Sequence, residues 1–127
     1  MRIVLISDTH NRLGDITVPD GDVLVHAGDA TFRGHRGEVE RFGKQMRALP
    51  HHHKVFIAGN HDASFKKAAG MNVGRELQAR RPDWIHVGAD YGRVELRTAD
   101  GRPWRVLLVH PDGGTPYAIS YRAQNII

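Results

Sequence analysis

Asp8 and His10, Asp29, Asn60 with His61 and Asp62, and His110 share one placement: each group directly follows an apolar run. The strings are IVLISDTH, DVLVHAGD, KVFIAGNHD and WRVLLVHPDGG. Carboxylate oxygens, imidazole nitrogens and an amide carbonyl, with no thiolate in a cysteine-free chain, suit Mn²⁺ first and Fe, Zn, Ni or Co next. An all-oxygen Ca²⁺ cage would not include imidazole. The set is large enough for two ions, and Asp29 is the carboxylate placed to bridge them. Two ions about 3.5–4 Å apart form a clamp that stabilises an in-line phosphoryl displacement.

The elements that must position these groups are legible in the same strings. Residues 3–6, 23–25, 55–58 and 106–109 are continuous apolar runs rich in β-branched residues, the pattern of strands covered on both faces. Between the second and third, Val39, Phe42, Met46 and Leu49 recur at helical spacing over 37–49, and Pro50 ends the run. Strand, helix, strand is an α/β arrangement, and the C-terminal edge of such a sheet is where loops converge on a ligand. A weaker helical stretch runs over 63–80, interrupted by Gly70 and Gly74 and closed by Pro82. Over 91–109, Val94 and Leu96 alternate with charged residues and Asp100-Gly101 supplies a turn, so an antiparallel hairpin is expected. Residues 115–127 read as helical without a cap.

Composition sets the bounds. A chain of 127 residues, 40% hydrophobic and 25% charged, fits a single globular domain spanning 1–127. No apolar run approaches the roughly 18 residues of a membrane span, so a membrane is not an expected partner. Zero cysteines suit a reducing cytoplasm, which is the expected compartment. The net charge of +4 favours anionic partners such as phosphate esters. No dense basic block with interleaved aromatics is present, so nucleic acid enters only as a substrate.

Taken in order, Asp8-Thr9-His10, Gly28-Asp29, Gly59-Asn60-His61-Asp62 and His110 resemble the calcineurin-like metallophosphoesterases, whose pattern is DxH, GD, GNH(D/E) and a later lone His. The stretch from SDTHN through HAGDAT to LPHHHKVFIAGNHD is similar to the small branch that includes the animal brain metallophosphoesterase-domain proteins. The resemblance implies that Asp8, His10 and Asp29 hold one ion, and that Asp29, Asn60 and His110 hold the second. It gives His61 the substrate, either protonating the leaving oxygen or stabilising phosphoryl charge, and gives Asp62 the task of orienting His61. The implied activity is phosphoesterase, most of all phosphodiesterase, by metal-activated hydroxide on a nucleotide or similar ester.

The resemblance also implies a fold: an αββα sandwich of two mixed sheets flanked by helices. The family's final GHxH element, which adds one histidine to each ion, has no counterpart here. The expectation is therefore a domain short of its C-terminal strands, with an incomplete second sheet open to self-association. A catalytically impaired metal-binding or scaffold protein, or a fragment of a longer phosphoesterase, are the competing readings. Gly113, Gly114, Tyr117 and Arg122 are candidate substrate contacts, since glycine admits close approach and arginine forks onto phosphate. His26 lies inside the second apolar run, as a satisfied core histidine or a support for the ligands. His51, His52 and His53 read as a loop; His35 and His86 have no partner pattern.

Overall fold

The computed structural model describes residues 1–65 and 91–110, and the backbone of 85–89. Strands β1 (Ile3–Ile6), β2 (Val23–His26), β3 (His53–Ala58) and β4 (Ile85–Ala89) form one parallel sheet in the order β1-β2-β3-β4. The register pairs Ile3 with Val23, Leu5 with Val25, and Val25 with Val55. Parallel neighbours need long crossovers, and helix α1 (Arg36–Ala48) supplies the one between β2 and β3. It buries Val39, Phe42, Gly43 and Met46 along one stripe, and Leu49 takes an extended conformation before Pro50.

Side-chain alternation sorts the sheet into two faces. Leu24, Phe56 and Ala58 turn towards α1 and pack with Val39, Phe42 and Met46 in one apolar core. Val23, Val25, Val55 and Ile57 turn the other way. There they meet an antiparallel hairpin of β5 (Tyr91–Arg97) and β6 (Pro103–Val109), whose Leu96 and Leu108 complete a second core with Val94 and Val106 beside them. Gly101 takes φ +84 in the hairpin turn, where the Gly101 N–H donates to the Thr98 carbonyl at 2.9 Å. The expected pair of sheets packed face to face with a helix outside is thus present, and the second sheet has two strands among the described residues.

The hairpin covers the sheet unevenly. Leu5, in register with buried Val25, is 67% exposed on the face that should meet the second sheet. Trp104, which alternation places on the side of Val106 and Leu108, is 60% exposed. Strand β4 escapes the sequence pattern because its run, IHVGA, is broken by His86 and Gly88. The expected helix over 63–80 opens as one 3₁₀ turn, Ala63–Phe65; the rest of it, and the expected helix over 115–127, lie outside the described residues. Of the three histidines expected in a loop, His51 and His52 lie in one, with His51 buried and its Nε2–H donating to the Pro19 carbonyl at 2.8 Å, whereas His53 begins β3.

Candidate metal centre

The rim is built by backbone before any side chain acts. Beyond β1 and β2 the two chains continue to bond: Asp8 N–H donates to Gly28 O (2.9 Å), His10 N–H to Asp29 O (3.0 Å) and Asn11 N–H to Ala30 O (2.8 Å). This ladder forces non-glycine residues into left-handed backbone: Asp8 at φ 56, His10 at 38, Asn11 at 68 and Asp29 at 54. Such residues cost of order 1–3 kcal/mol each and persist where surrounding contacts over-determine them. Two glycines make room. A Cβ on Gly28 (φ +102) would lie 2.6 Å from His110 Nδ1, and one on Gly59 would strike Asp29 Oδ1 and the Asp29 amide.

The chemistry of the ligand atoms follows from which ring nitrogen is already occupied. A carbonyl only accepts, so His110 Nδ1–H donates to Ala27 O (2.8 Å) and His10 Nδ1–H to Thr31 O (3.2 Å). In each neutral ring the Nε2 lone pair is then turned inward. His110 Nε2 stands 3.2 Å from Asp29 Oδ2 and 3.1 Å from Asn60 Oδ1. His10 Nε2 stands 4.0 Å from the same Asp29 oxygen and 3.9 Å from Asp8 Oδ1, too long for hydrogen bonds. Lone pairs converging on lone pairs repel unless a cation sits among them. Ligand atoms at about 2.1 Å from a shared ion are separated by distances of this size. The ligand atoms of Asp8, His10 and Asp29 lie within 4.8 Å of one another, so these residues fit a metal ion. Asp29 Oδ2 faces both imidazoles, and Asp29 Oδ1 accepts from the His61 amide at 2.9 Å, which fixes the carboxylate.

His61 stands beside this cluster, its ring centroid 4.9 Å from that of His10. The role expected of Asp62, orienting His61, belongs to another group. His61 Nδ1–H donates to the Phe32 carbonyl at 2.7 Å, leaving Nε2 available. Asp62 is fully buried and its oxygens are taken by Gly59 N–H (2.9 Å), Ala30 N–H (3.2 Å), Thr31 N–H (2.9 Å) and the Thr31 hydroxyl (2.7 Å). Burial raises its carboxyl above the usual range and these donors oppose that. Asp62 therefore ties the β3 loop to the β2 loop and does not address the imidazole.

Sequence reasoning missed several supports. Glu38, in the first turn of α1, accepts from Asn11 Nδ2 (2.7 Å) and from the Phe32, Arg33 and His35 N–H groups. Desolvation works to raise its carboxyl, but these hydrogen bonds outweigh it and hold the group below its ordinary value. Exposed Phe32 sets its ring edge-on to His10 and His61, at centroid distances of 5.6 and 6.0 Å. An S/T-containing string such as GDAT was the one available signal for Thr31; nothing in sequence marks the Phe32 carbonyl. His26 is wholly buried, and desolvation lowers its imidazole to about 3, with His110 and His10 adding to the effect and Asp8 opposing it. Gly113, Gly114, Tyr117 and Arg122 lie outside the described residues.

Comparison with known proteins places this rim. Over 121 residues, 92% of its length, the chain is 51% identical to UPF0046 protein K07C11.7 of Caenorhabditis elegans, covering 42% of that protein. It is 48% identical over 64 residues, half its length, to human metallophosphoesterase domain-containing protein 1, covering 20% of it, and the mouse protein of that name matches equally. The chain spans well under half the length of these relatives, and they bear out the branch resemblance. Residues 1–121 match the family model for calcineurin-like phosphoesterase. With that match running almost end to end and the motif residues gathered on one rim, the chain belongs to the calcineurin-like phosphoesterase family.

Proposed function

We propose that the chain is a metal-dependent phosphoesterase with a two-ion centre, selective for phosphodiesters of nucleotide type and loaded with Mn²⁺. The observation that carries the reading is that one oxygen, Asp29 Oδ2, faces His10 Nε2 and His110 Nε2 together. Asp8, His10 and Asp29 would hold one ion; Asp29, Asn60 and His110 the other. Three protein ligands on each side leave positions open for water and substrate, as catalytic sites require. When bound, the ions supply Lewis-acid stabilisation of the phosphoryl oxygens and a water of lowered pKa as nucleophile.

The chain's own residues do the rest. The Phe32 carbonyl fixes His61 with Nε2 free, so a protonated Nε2 gives its proton to the leaving oxygen as the P–O bond breaks. Asp62 and Thr31 hold the loops that carry Asp29 and His61 at a fixed separation, supplying preorganisation rather than proton transfer. Exposed Leu5 and Trp104 on the inner faces of the two sheets support self-association as an accompanying property.

The test is metal content by elemental analysis after loading with Mn²⁺, together with hydrolysis of a nitrophenyl phosphodiester. Two equivalents in the parent and near-complete loss of both in Asp29→Ala are expected. Full metal content in Asp29→Ala would overturn the bridging assignment, and bound ions without ester hydrolysis would favour a metal-binding protein that has lost turnover.

A further inference from the structure

His26 is fully buried and lies on the helix-facing side of β2. Its ring is wedged between two core aromatics, Phe42 of α1 (centroids 5.3 Å) and Phe56 of β3 (5.7 Å). A buried imidazole in such a place needs partners for both nitrogens, because each one left unpaired carries a desolvation cost. It has them, one in each ligand-bearing loop. The Gly28 N–H donates to Nδ1 at 3.3 Å, and Nε2 lies 2.8 Å from the hydroxyl of Thr9, itself 8% exposed.

The direction of both bonds is determined. A backbone N–H only donates, so Nδ1 accepts; the neutral ring then carries its hydrogen on Nε2 and donates it to Thr9 Oγ1. Thr9 sits between Asp8 and His10, and Gly28 immediately precedes Asp29. We propose that His26 is a positioning residue: a neutral Nε2–H imidazole whose Thr9–His26–Gly28 relay locks the Asp8/His10 loop to the Asp29 loop and so sets the spacing of the metal ligands. Of the four non-glycine residues of these loops that stand in left-handed backbone, Asp8, His10 and Asp29 adjoin the two anchor points and Asn11 follows one position on. The relay opposes their relaxation, and the rings of Phe42 and Phe56 tie it to the packed core. Burial holds the imidazole uncharged, so no cation is set beside the ligands from behind.

The inference concerns the metal centre proposed above, and its test separates the two. In metal-free protein, two-bond ¹H–¹⁵N correlation should show His26 as the Nε2–H tautomer at neutral pH, with a Gly28 amide protected from exchange; an Nδ1–H tautomer or an unprotected Gly28 amide would overturn the relay whether or not metal binds. In metal-binding titrations, Thr9→Val should weaken Mn²⁺ or Co²⁺ about 10- to 100-fold, the range for a lost outer hydrogen bond, and Thr9→Ser should restore most of it. His26→Phe should give a similar loss, and adding Thr9→Val to it should cost little more, since both break one relay. Affinities within twofold of the parent in Thr9→Val would overturn the positioning role, and this comparison stands even if His26→Phe fails to fold. A parent chain that binds no metal would overturn the metal-centre reading, leaving the tautomer and exchange results to decide the relay.

Discussion

The two faces of the parallel sheet are finished to different degrees, and the candidate ligands they support are held in correspondingly different ways. On the α1 face, Leu24, His26, Phe56 and Ala58 are fully buried. On the other face burial stops partway, with Val25 at 3% exposure and Leu5 beside it at 67%. Asp8, His10 and Asp29 belong to loops that continue the β1–β2 ladder and are braced from the α1 side by Glu38 and His26. His110 arrives from the hairpin and reaches the rim through its bond to Ala27 O and the packing of Leu108, two residues earlier, in the second core. The lesson is that one side of the centre is preorganised by the sheet itself, whereas the other depends on how well a two-stranded layer docks.

The change expected to break this contrast most completely is Gly59→Ala. Its Cβ would strike Asp29 Oδ1 and lie 2.9 Å from His110 Cδ2, so it displaces the carboxylate proposed to serve both sides. Metal content should fall for both ions together, with little secondary-structure change by circular dichroism. Retention of metal at parent levels would show that the loop yields and that Asp29 is less rigidly placed than its contacts imply.

Leu108→Ala attacks the hairpin side alone. A buried leucine truncated to alanine costs about 2–5 kcal/mol, and here the lost packing anchors the end of β6, two residues before His110. Denaturant unfolding should report that loss, and calorimetric titration should show the weaker of two Mn²⁺ affinities falling further than the stronger. Equal weakening of both would mean that the hairpin and the β1–β2 loops act as one unit.

Much of this contrast was readable beforehand and some was not. Apolar runs ending in DTH, GD, GNHD and H identified β1, β2, β3 and β6 and placed every candidate ligand just beyond a strand, because hydrophobic burial is a property of each string by itself. The partners of those ligands were not readable. Asp62 turns away from its neighbour His61 because four donors of Gly59, Ala30 and Thr31 surround it once the loops meet. His26 finds Thr9 across 17 positions of sequence, a distance that only the β1–β2 register closes. The left-handed backbone of Asp8 and His10 follows from that same ladder and has no glycine to announce it.

Acid should probe the braced side. His26 titrates near its ordinary 6.5 when unfolded and at about 3 when folded, so below 6.5 the unfolded chain takes up a proton that the folded chain does not. The stability present above pH 6.5 is therefore lost at up to about 1.4 kcal/mol per pH unit as pH falls towards 3. Asp62, raised by burial, works in the opposite sense at the lower end, because its folded form takes its proton first. Urea midpoints of chelator-treated protein between pH 6.5 and 4.5 should fall more steeply for the parent than for His26→Phe. Parallel profiles would show that His26 carries no such linkage.

The smallest effect should come from the unfinished face, and it sharpens the comparison by pairing neighbours of like chemistry. Leu5 and Val25 lie side by side in the β1–β2 register and point to the same face, yet one is exposed and the other buried. Hydrophobic stabilisation scales with the apolar area removed from water, so Val25→Ala should cost about 2 kcal/mol while Leu5→Ala stays within about 0.5 kcal/mol in dilute solution. Concentration supplies the second half of the test. If the uncovered inner face drives self-association, Leu5→Ala should lower the weight-average mass in sedimentation at high protein concentration and leave metal binding untouched. A Leu5→Ala cost that matched Val25→Ala at the lowest concentration would mean that β1 is covered in the monomer, and that the two faces of the sheet are more alike than their exposures indicate.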